Sequence, residues 1–438
     1  MGVSVASADS SPGIAARAAA ISVLGEVLRK RRPLDAVLDE TIPATLAPRD
    51  AGFARAIASE TLRRFGQLDA LLRTFIKKPP APHRSGPTLE ILLAGACELL
   101  FLDVPAHAAV DAANRLAAAD NKAVHFKPLI NATLRRIARE GASVLAAKDA
   151  ERLNTPDWLW SRWCEFYGND GARAIARAHV HNPALDLMLK SLDDVAEFGE
   201  HARLLPGNVL RLYDAAAVES LSGYGDGTWW VQDFAASLPA RLLGDVHGKR
   251  VIDLCAAPGG KTAQLAAAGA DVIAVEREPQ RIARLKENLA RLKLSATVLE
   301  ADVRDLTSER AECVLLDAPC SATGTIRRHP ELPWIKSAAD INVCVQNAGE
   351  LLDTAADMVT PGGTLVFVVC SLEHEECAGQ IDDFLRRTDN FHRDPVSPAD
   401  VFGMSEIISA EGDLRTLPFH LAEEGGMDGF YAARLKRR

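Results

Sequence analysis

The hydrophobic pattern changes period partway along the chain, so one polypeptide must hold two kinds of architecture. From about residue 13 to 141 the apolar residues recur at helical spacing. Ile21, Leu24 and Leu28 share a face, as do Leu68, Leu71, Leu72 and Phe75. The same spacing places Leu89, Leu92, Leu93 and Leu100 together, and then Ile130, Leu134 and Ile137. The run Lys78-Pro79-Pro80-Ala81-Pro82 reads as a loop between helices. From about residue 226 the pattern becomes short apolar runs rich in β-branched residues, separated by helical stretches. The runs fall at 251–254, 271–276, 297–299, 313–317 and 364–370. This alternation predicts a parallel, doubly wound sheet with helices on its faces. A last run near 430–435, together with Phe391, predicts an antiparallel edge pair.

The 438 residues allow two or three domains at roughly 150 residues each. The expected borders are a flexible start over 1–12, an all-α domain over 13–145, a small α/β linker subdomain over 146–225 and an α/β domain over 226–438. In the linker, Trp158, Trp160 and Trp163 fit a helix after Pro156, and 185–189 and 209–212 fit short strands. At 48% hydrophobic and 25% charged, the composition excludes disorder as the main state. The longest apolar stretch, 91–102, carries Glu98 and is shorter than the ~18 residues of a membrane span. The N-terminus carries Asp9 and Arg17 and has no compact apolar region of the signal-peptide kind. Eight cysteines without a C-x-x-C pair argue against a disulfide framework and against a common zinc site. A cytoplasmic protein without a bound metal is expected.

The net charge of -9 is divided unevenly. Residues 1–150 carry 20 Lys and Arg against 15 Asp and Glu, a net of +5; the remainder carries 30 against 44, a net of -14. A locally basic half is compatible with nucleic acid despite the acidic total. Arg135, Arg136 and Arg139 lie mostly off the apolar face of their helix. They read equally as a solvated face or as an RNA contact.

The run Asp253-Leu254-Cys255-Ala256-Ala257-Pro258-Gly259-Gly260-Lys261-Thr262 follows the first strand of the α/β part and opens a helix. Its small residues let a ligand approach the backbone at the helix N-terminus. A dinucleotide would call for G-x-G-x-x-G, which is absent. A P-loop fits at Gly260-Lys261-Thr262 but has Cys255 where its first glycine belongs. S-adenosylmethionine (SAM) needs only the close backbone and a carboxylate for its ribose hydroxyls. Glu276, ending the second strand, suits that carboxylate, and Asp302, after the third, could meet the adenine amine. Either acid alone would more often be a helix cap. Both together, in register with the glycine turn, favour SAM.

Two cysteines fall at the carboxyl ends of strands, where such sheets bind ligands. Cys320 lies in Asp317-Ala318-Pro319-Cys320-Ser321, and Cys370 in Phe367-Val368-Val369-Cys370-Ser371. Cys97, Cys164, Cys313 and Cys344 read as small buried hydrophobes. Cys377 has no assigned chemistry, and Cys255 reaches the cofactor site through its backbone alone.

Together these motifs resemble the RNA 5-methylcytosine methyltransferases of the NOL1/NOP2/Sun group. The resemblance is strongest to the bacterial Sun/Fmu type, which joins a NusB-like RNA-binding domain to a catalytic domain. It covers nearly the whole chain and includes Val231-Gln232-Asp233, Ile326-Arg327-Arg328-His329-Pro330-Glu331 and Gly426-Met427-Asp428-Gly429-Phe430-Tyr431. It implies an all-α NusB-like domain followed by a Rossmann-like, class I SAM-dependent methyltransferase domain. It also implies transfer of a methyl group to carbon 5 of a cytosine in small-subunit rRNA. Transfer to tRNA, or a non-catalytic role in ribosome assembly, are the alternatives. By resemblance Cys370 is the nucleophile and Cys320 assists product release. Asp317 faces the base edge and the cofactor, and Lys261 touches cytosine or cofactor and lowers a nearby thiol pKa. Cys255, Ala256, Ala257, Pro258, Gly259 and Gly260 would line the SAM turn with Glu276, Asp302 and Asp317. Arg327, Arg328 and His329 would grip phosphates beside the pocket. The partner implied is small-subunit rRNA, unassembled or partly assembled, bound by a monomer; neither DNA nor a membrane is expected. The family's Tyr-x-Thr-Cys-Ser and Pro-Glu-Glu-Asn read Phe367-Val368-Val369-Cys370-Ser371 and His374-Glu375-Glu376-Cys377 here. Both departures leave every implied catalytic group in place.

Overall fold

The computed structural model describes residues 12–192, 198–199, 202–213, 217–306 and 308–438. The flexible start expected over 1–12 lies outside the described residues except for Pro12, which opens the first helix. The chain forms two compact units. One comprises residues 1–181 with 328–337, the other 182–327 with 338–438.

The first unit is helical. Its longer helices are Pro12–Lys30, Leu34–Thr41, Pro48–Arg63, Phe65–Phe75, Thr88–Phe101, Ala106–Ala119, Lys127–Ala146 and Asp157–His179. Pro48 stands in the first turn of its helix, where the missing N–H costs no helical hydrogen bond. The apolar faces expected from the spacing meet in one core that includes Leu24, Leu68, Leu71, Leu92, Leu93, Ile130, Leu134 and Ile137. Glu98 is buried in this unit and paired with Arg17 at 2.6 Å, and no described helix is long and apolar enough to cross a membrane. The helix expected after Pro156 begins at Asp157 and buries Trp163. Residues 146–181, read from the sequence as part of a linker subdomain, belong to this helical unit, and the rest of that span belongs to the other.

Segment 328–337 also packs into the helical unit. Trp334 meets Phe65 edge to face at 4.8 Å and donates its Nε1–H to the Leu62 carbonyl at 2.9 Å. Arg31 donates to the Ile335 carbonyl at 2.8 Å, and the buried Glu331 accepts the Leu34 N–H at 3.2 Å.

The second unit has two sheets. Strands β1 (Leu185–Leu189), β2 (Ala202–Leu205), β3 (Val209–Leu212) and β4 (Trp229–Val231) form a small antiparallel sheet in the order β2-β3-β1-β4. The large sheet contains β5 (Arg250–Leu254), β6 (Asp271–Glu276), β7 (Thr297–Glu300), β8 (Ala311–Asp317) and β9 (Val359–Val369), with β10 (Phe391–Arg393), β11 (Leu414–Arg415) and β12 (Tyr431–Arg437). Its order is β10-β12-β9-β8-β5-β6-β7, and β11 pairs with β12. Strands β5 to β9 run parallel. Strand β12 is antiparallel to both β9 and β10, so it lies inside the sheet and β10 forms the edge. The chain runs outward from β5 through β6 to β7, then returns to place β8 on the other side of β5. A topological switch point therefore falls between β5 and β8, and ligands bind beyond the carboxyl ends of the strands at such a point.

Candidate active site

The loop leaving β5 is shaped for close approach. Cys255 has φ +61° and Gly259 has φ +105°. A Cβ on Gly259 would lie 2.5 Å from the Leu285 side chain, so glycine fits both the dihedral and the space. Arg281 donates to the Ala257 carbonyl at 2.5 Å and Asn288 to the Pro258 carbonyl at 2.9 Å, fixing the loop from the helix Pro279–Arg291. The helix Gly260–Ala267 starts at this turn.

Glu276 ends β6 and is buried. Its Oε1 accepts the N–H groups of Arg277 at 2.9 Å and Glu278 at 3.2 Å. Its Oε2 is also buried and makes no hydrogen bond, with the Arg281 guanidinium 3.3 Å away. A buried carboxylate oxygen without a hydrogen-bond donor keeps an unused acceptor that a ligand hydroxyl would satisfy. The glycine turn and this unused acceptor fit the chemistry of the SAM ribose expected there. Asp302 is differently placed. It caps the short helix Val303–Asp305, and both its oxygens are engaged by Arg304 at 2.8 and 2.9 Å. Hydrogen bonds from Arg304 hold its carboxyl well below the usual carboxylate range. An adenine amine would have to share an acceptor already in use.

Lys261, in the first turn of its helix, is buried, and its Nζ donates to Asp317 Oδ2 at 2.8 Å at the end of β8. The Phe430 ring lies 5.2 Å from the same ammonium. Burial alone would lower the Lys261 pKa; Asp317 outweighs it and the net shift is upward. Lys261 is thus a firm cation, and Cys370 lies within its electrostatic reach. Behind this pair, Asp253 is wholly buried, with Thr262 donating to its Oδ2 at 2.6 Å and no hydrogen bond to Oδ1.

The two cysteines meet. Cys320 Sγ and Cys370 Sγ are 3.5 Å apart. The contact with Cys370, and then burial, push the Cys320 thiol well above its ordinary range. Backbone bonds knit the two loops: the Ala318 N–H donates to the Val368 carbonyl at 2.9 Å and the Gly324 N–H to the Cys370 carbonyl at 3.0 Å. The Gly429 N–H donates to the Gly324 carbonyl at 2.8 Å, and a Cβ on Gly324 would lie 1.8 Å from the Gly429 carbonyl oxygen. The arrangement puts a protonated thiol, a second thiol facing a lysine cation, and a carboxylate at one place. That set can add a sulfur nucleophile to an electron-poor ring and assist its departure.

Several further groups, which the local sequence pattern does not single out, hold the two cysteine loops. Glu376 binds Ser321 and Ser371, the residues following each cysteine. Arg415 donates to the Ser371 carbonyl at 2.6 Å. Cys344, read as a packing residue, is half-buried and contacts the Glu376 carboxyl. Cys97 and Cys313 are buried as expected, and Cys164 is half-buried.

The expected phosphate-gripping residues scatter. Arg327 is 2% exposed and donates to the Gly425 carbonyl at 2.8 Å. That is a correction to the sequence reading, because a phosphate cannot reach a guanidinium held inside the fold. Arg328 and His329 lie in the segment that packs into the helical unit, with His329 Nδ1 3.6 Å from Asp35. Arg135 and Arg139 are exposed on the helix Lys127–Ala146. Arg136 beside them lies over the Phe75 ring at 4.4 Å and pairs with Glu140 at 2.9 Å.

Residues 240–436 match the family described as 16S rRNA methyltransferase RsmB/F, and residues 14–139 match the NusB family. Ribosomal RNA small subunit methyltransferase B of Pasteurella multocida is 32% identical over 97% of this chain and 96% of its own. The protein of the same name from Pseudomonas putida is 35% identical over 96% of this chain and 98% of its own. The crystal structure of PH0851 superposes with a TM-score of 0.78 at 24% identity, covering 98% of this chain and all of that one, a likeness that shows the fold. The match runs over almost the full length of these relatives, and the chain belongs to the family of ribosomal RNA small subunit methyltransferase B.

Proposed function

We propose that this protein methylates carbon 5 of a cytosine in small-subunit rRNA, with SAM as methyl donor, through a transient bond between Cys370 and carbon 6 of the base. The observation that carries this reading is the 3.5 Å contact between Cys320 and Cys370 beside the Lys261–Asp317 pair. The turn 255–260 and Glu276 would hold SAM, which supplies an electrophilic methyl group on a sulfonium. Carbon 5 of cytosine is a poor nucleophile. Addition of the Cys370 thiolate to carbon 6 places an electron pair at carbon 5 and makes that atom enamine-like. The Lys261 cation lies within electrostatic reach of the attacking sulfur. The Asp317 carboxylate, held by Lys261, accepts a hydrogen bond from the base edge and stabilises the adduct. Once carbon 5 is methylated it gives its proton to solvent water, the C5–C6 double bond re-forms and the sulfur leaves with the electron pair of the C–S bond. Cys320, held as a thiol, donates its S–H to that sulfur as negative charge returns. The base must be unstacked to reach the thiols, which suits an open or partly assembled rRNA. We assign Arg135 and Arg139 to phosphate contacts in a cytoplasmic, monomeric enzyme.

The test is transfer of label from radiolabelled SAM to unmethylated small-subunit rRNA, followed by nucleoside analysis. Label in 5-methylcytidine with the wild type, absent with Cys370→Ala, is expected. Label in tRNA alone would move the substrate, and no transfer to either RNA would contradict the reading.

A further inference from the structure

Cys320 and Cys370 sit on loops from different strands, yet the residue after each is held by the same carboxylate. Glu376 follows β9 in the short helix His374–Glu376 and is 0% exposed. Its Oε1 accepts the Ser321 N–H at 2.7 Å. Its Oε2 accepts the Ser321 hydroxyl at 2.5 Å and the Ser371 hydroxyl as well. The surrounding hydroxyls are in turn supplied with donors. Ser371 Oγ accepts the Glu373 N–H at 3.0 Å, and Thr323 Oγ1 accepts the Leu372 N–H at 3.0 Å while lying 3.4 Å from Ser371 Oγ. A buried carboxylate is expensive, and apolar packing would join two loops at lower cost. What the carboxylate adds is direction: it fixes three donors on two loops relative to one another.

We propose that Glu376 is a positioning residue that sets the spacing of Cys320 and Cys370 through Ser321 and Ser371. This rests on the reading above for its catalytic consequence, but not for its geometry. The first consequence is that one residue governs both formation and release of the adduct. Loosening the carboxylate lets both thiols drift, and a displacement near 1 Å costs a reacting group on the order of 10²-fold in rate.

The test compares the full-length wild type with Glu376→Ala and Glu376→Gln in two readouts. One is the rate at which diamide, a thiol oxidant, joins Cys320 to Cys370, followed by peptide mass mapping; disulfide formation demands close, aligned sulfurs. We expect Glu376→Ala to slow it by about tenfold or more, with Glu376→Gln between Ala and wild type because it keeps one acceptor. The other is steady-state methylation, where kcat falls on the order of 10²-fold with KM for SAM nearly unchanged. Both are corrected for the folded fraction from a denaturation curve, and Glu376→Gln decides the matter if Glu376→Ala does not fold. Wild-type disulfide and methylation rates in Glu376→Gln, or in a folded Glu376→Ala, would overturn the inference. A slowed disulfide with no methylation by the wild type would uphold the spacing role and contradict the enzymatic reading.

Discussion

Asp253 carries an ionisation that folding opposes, and this gives the free protein a pH signature. Burial pushes its carboxyl up to about 7; the Thr262 hydroxyl works against the rise and the negative charge of Asp317 adds to it. Between about pH 4, where an unfolded aspartate titrates, and about pH 7, the native state keeps a proton that the unfolded chain has lost. The raised pKa therefore contributes stability at low pH that is lost as pH rises through this window, by at most about 1.4 kcal/mol per pH unit. Asp253→Asn removes that slope. Denaturant unfolding from pH 4.5 to 8 is expected to show the wild type losing stability relative to Asp253→Asn up to about pH 7 and running parallel above it. Parallel curves throughout would contradict the assignment. The strand-end and helix-start positions of Cys320, Cys370, Lys261 and Asp317 were legible from local spacing, while the roles expected of them came from the family resemblance. Asp253, Arg415 and Glu376 were not read as functional. Their importance lies in partners that local spacing does not show, such as the Ser321 hydroxyl 55 residues from Glu376.

At the scale of elements, the turn at 425–429 is held by buried arginines from elsewhere in its own unit. Arg327 donates to the Gly425 carbonyl, and Arg211, itself paired with Asp186 at 2.7 Å, donates to the carbonyls of Glu424 and Gly426. The turn leads into Gly429, whose N–H binds the Cys320 loop at Gly324, and into Phe430 beside Lys261. Arg327→Gln is therefore expected to cost about 1–3 kcal/mol of stability and to slow methylation, while leaving the salt dependence of RNA binding unchanged. Denaturation and filter-binding titrations at several salt concentrations check both halves. A reduced salt slope without loss of stability would restore Arg327 as a phosphate contact. The inner parallel strands β5, β6, β8 and β9 were legible because most of their residues are buried and their apolar runs are continuous, whereas β7, at the edge, buries none of its four residues. Strands β2 and β4 were not. Strand β2 exposes two of its four residues and has no clean alternation, and β4 is three residues long.

At the scale of the molecule, the change of hydrophobic period anticipated the helical and α/β parts, but the chain order alone did not reveal that segment 328–337 belongs to the helical unit. That assignment depends on where Trp334, Ile335 and Glu331 find partners, which no local pattern states. The excess of positive charge in residues 1–150 directs the search for RNA contacts to the helical unit. Replacing Arg135, Arg136 and Arg139 by alanine should weaken rRNA binding and lower the slope of log K against log salt by about 1 to 2, because Arg136 and Arg139 both lie against Glu140. An unchanged slope would remove this helix from the RNA surface. In the proposed reaction Cys370 bonds to the base while Cys320 serves its departure. Its most direct test incubates Cys320→Ala with SAM and unmethylated small-subunit rRNA, denatures and digests the product, and maps the RNA-linked peptide by mass spectrometry. A methylated cytidine attached to the peptide that carries Cys370 is expected, accumulating because release has lost its thiol. No adduct with this variant, together with one on Cys320 in Cys370→Ala, would contradict these roles.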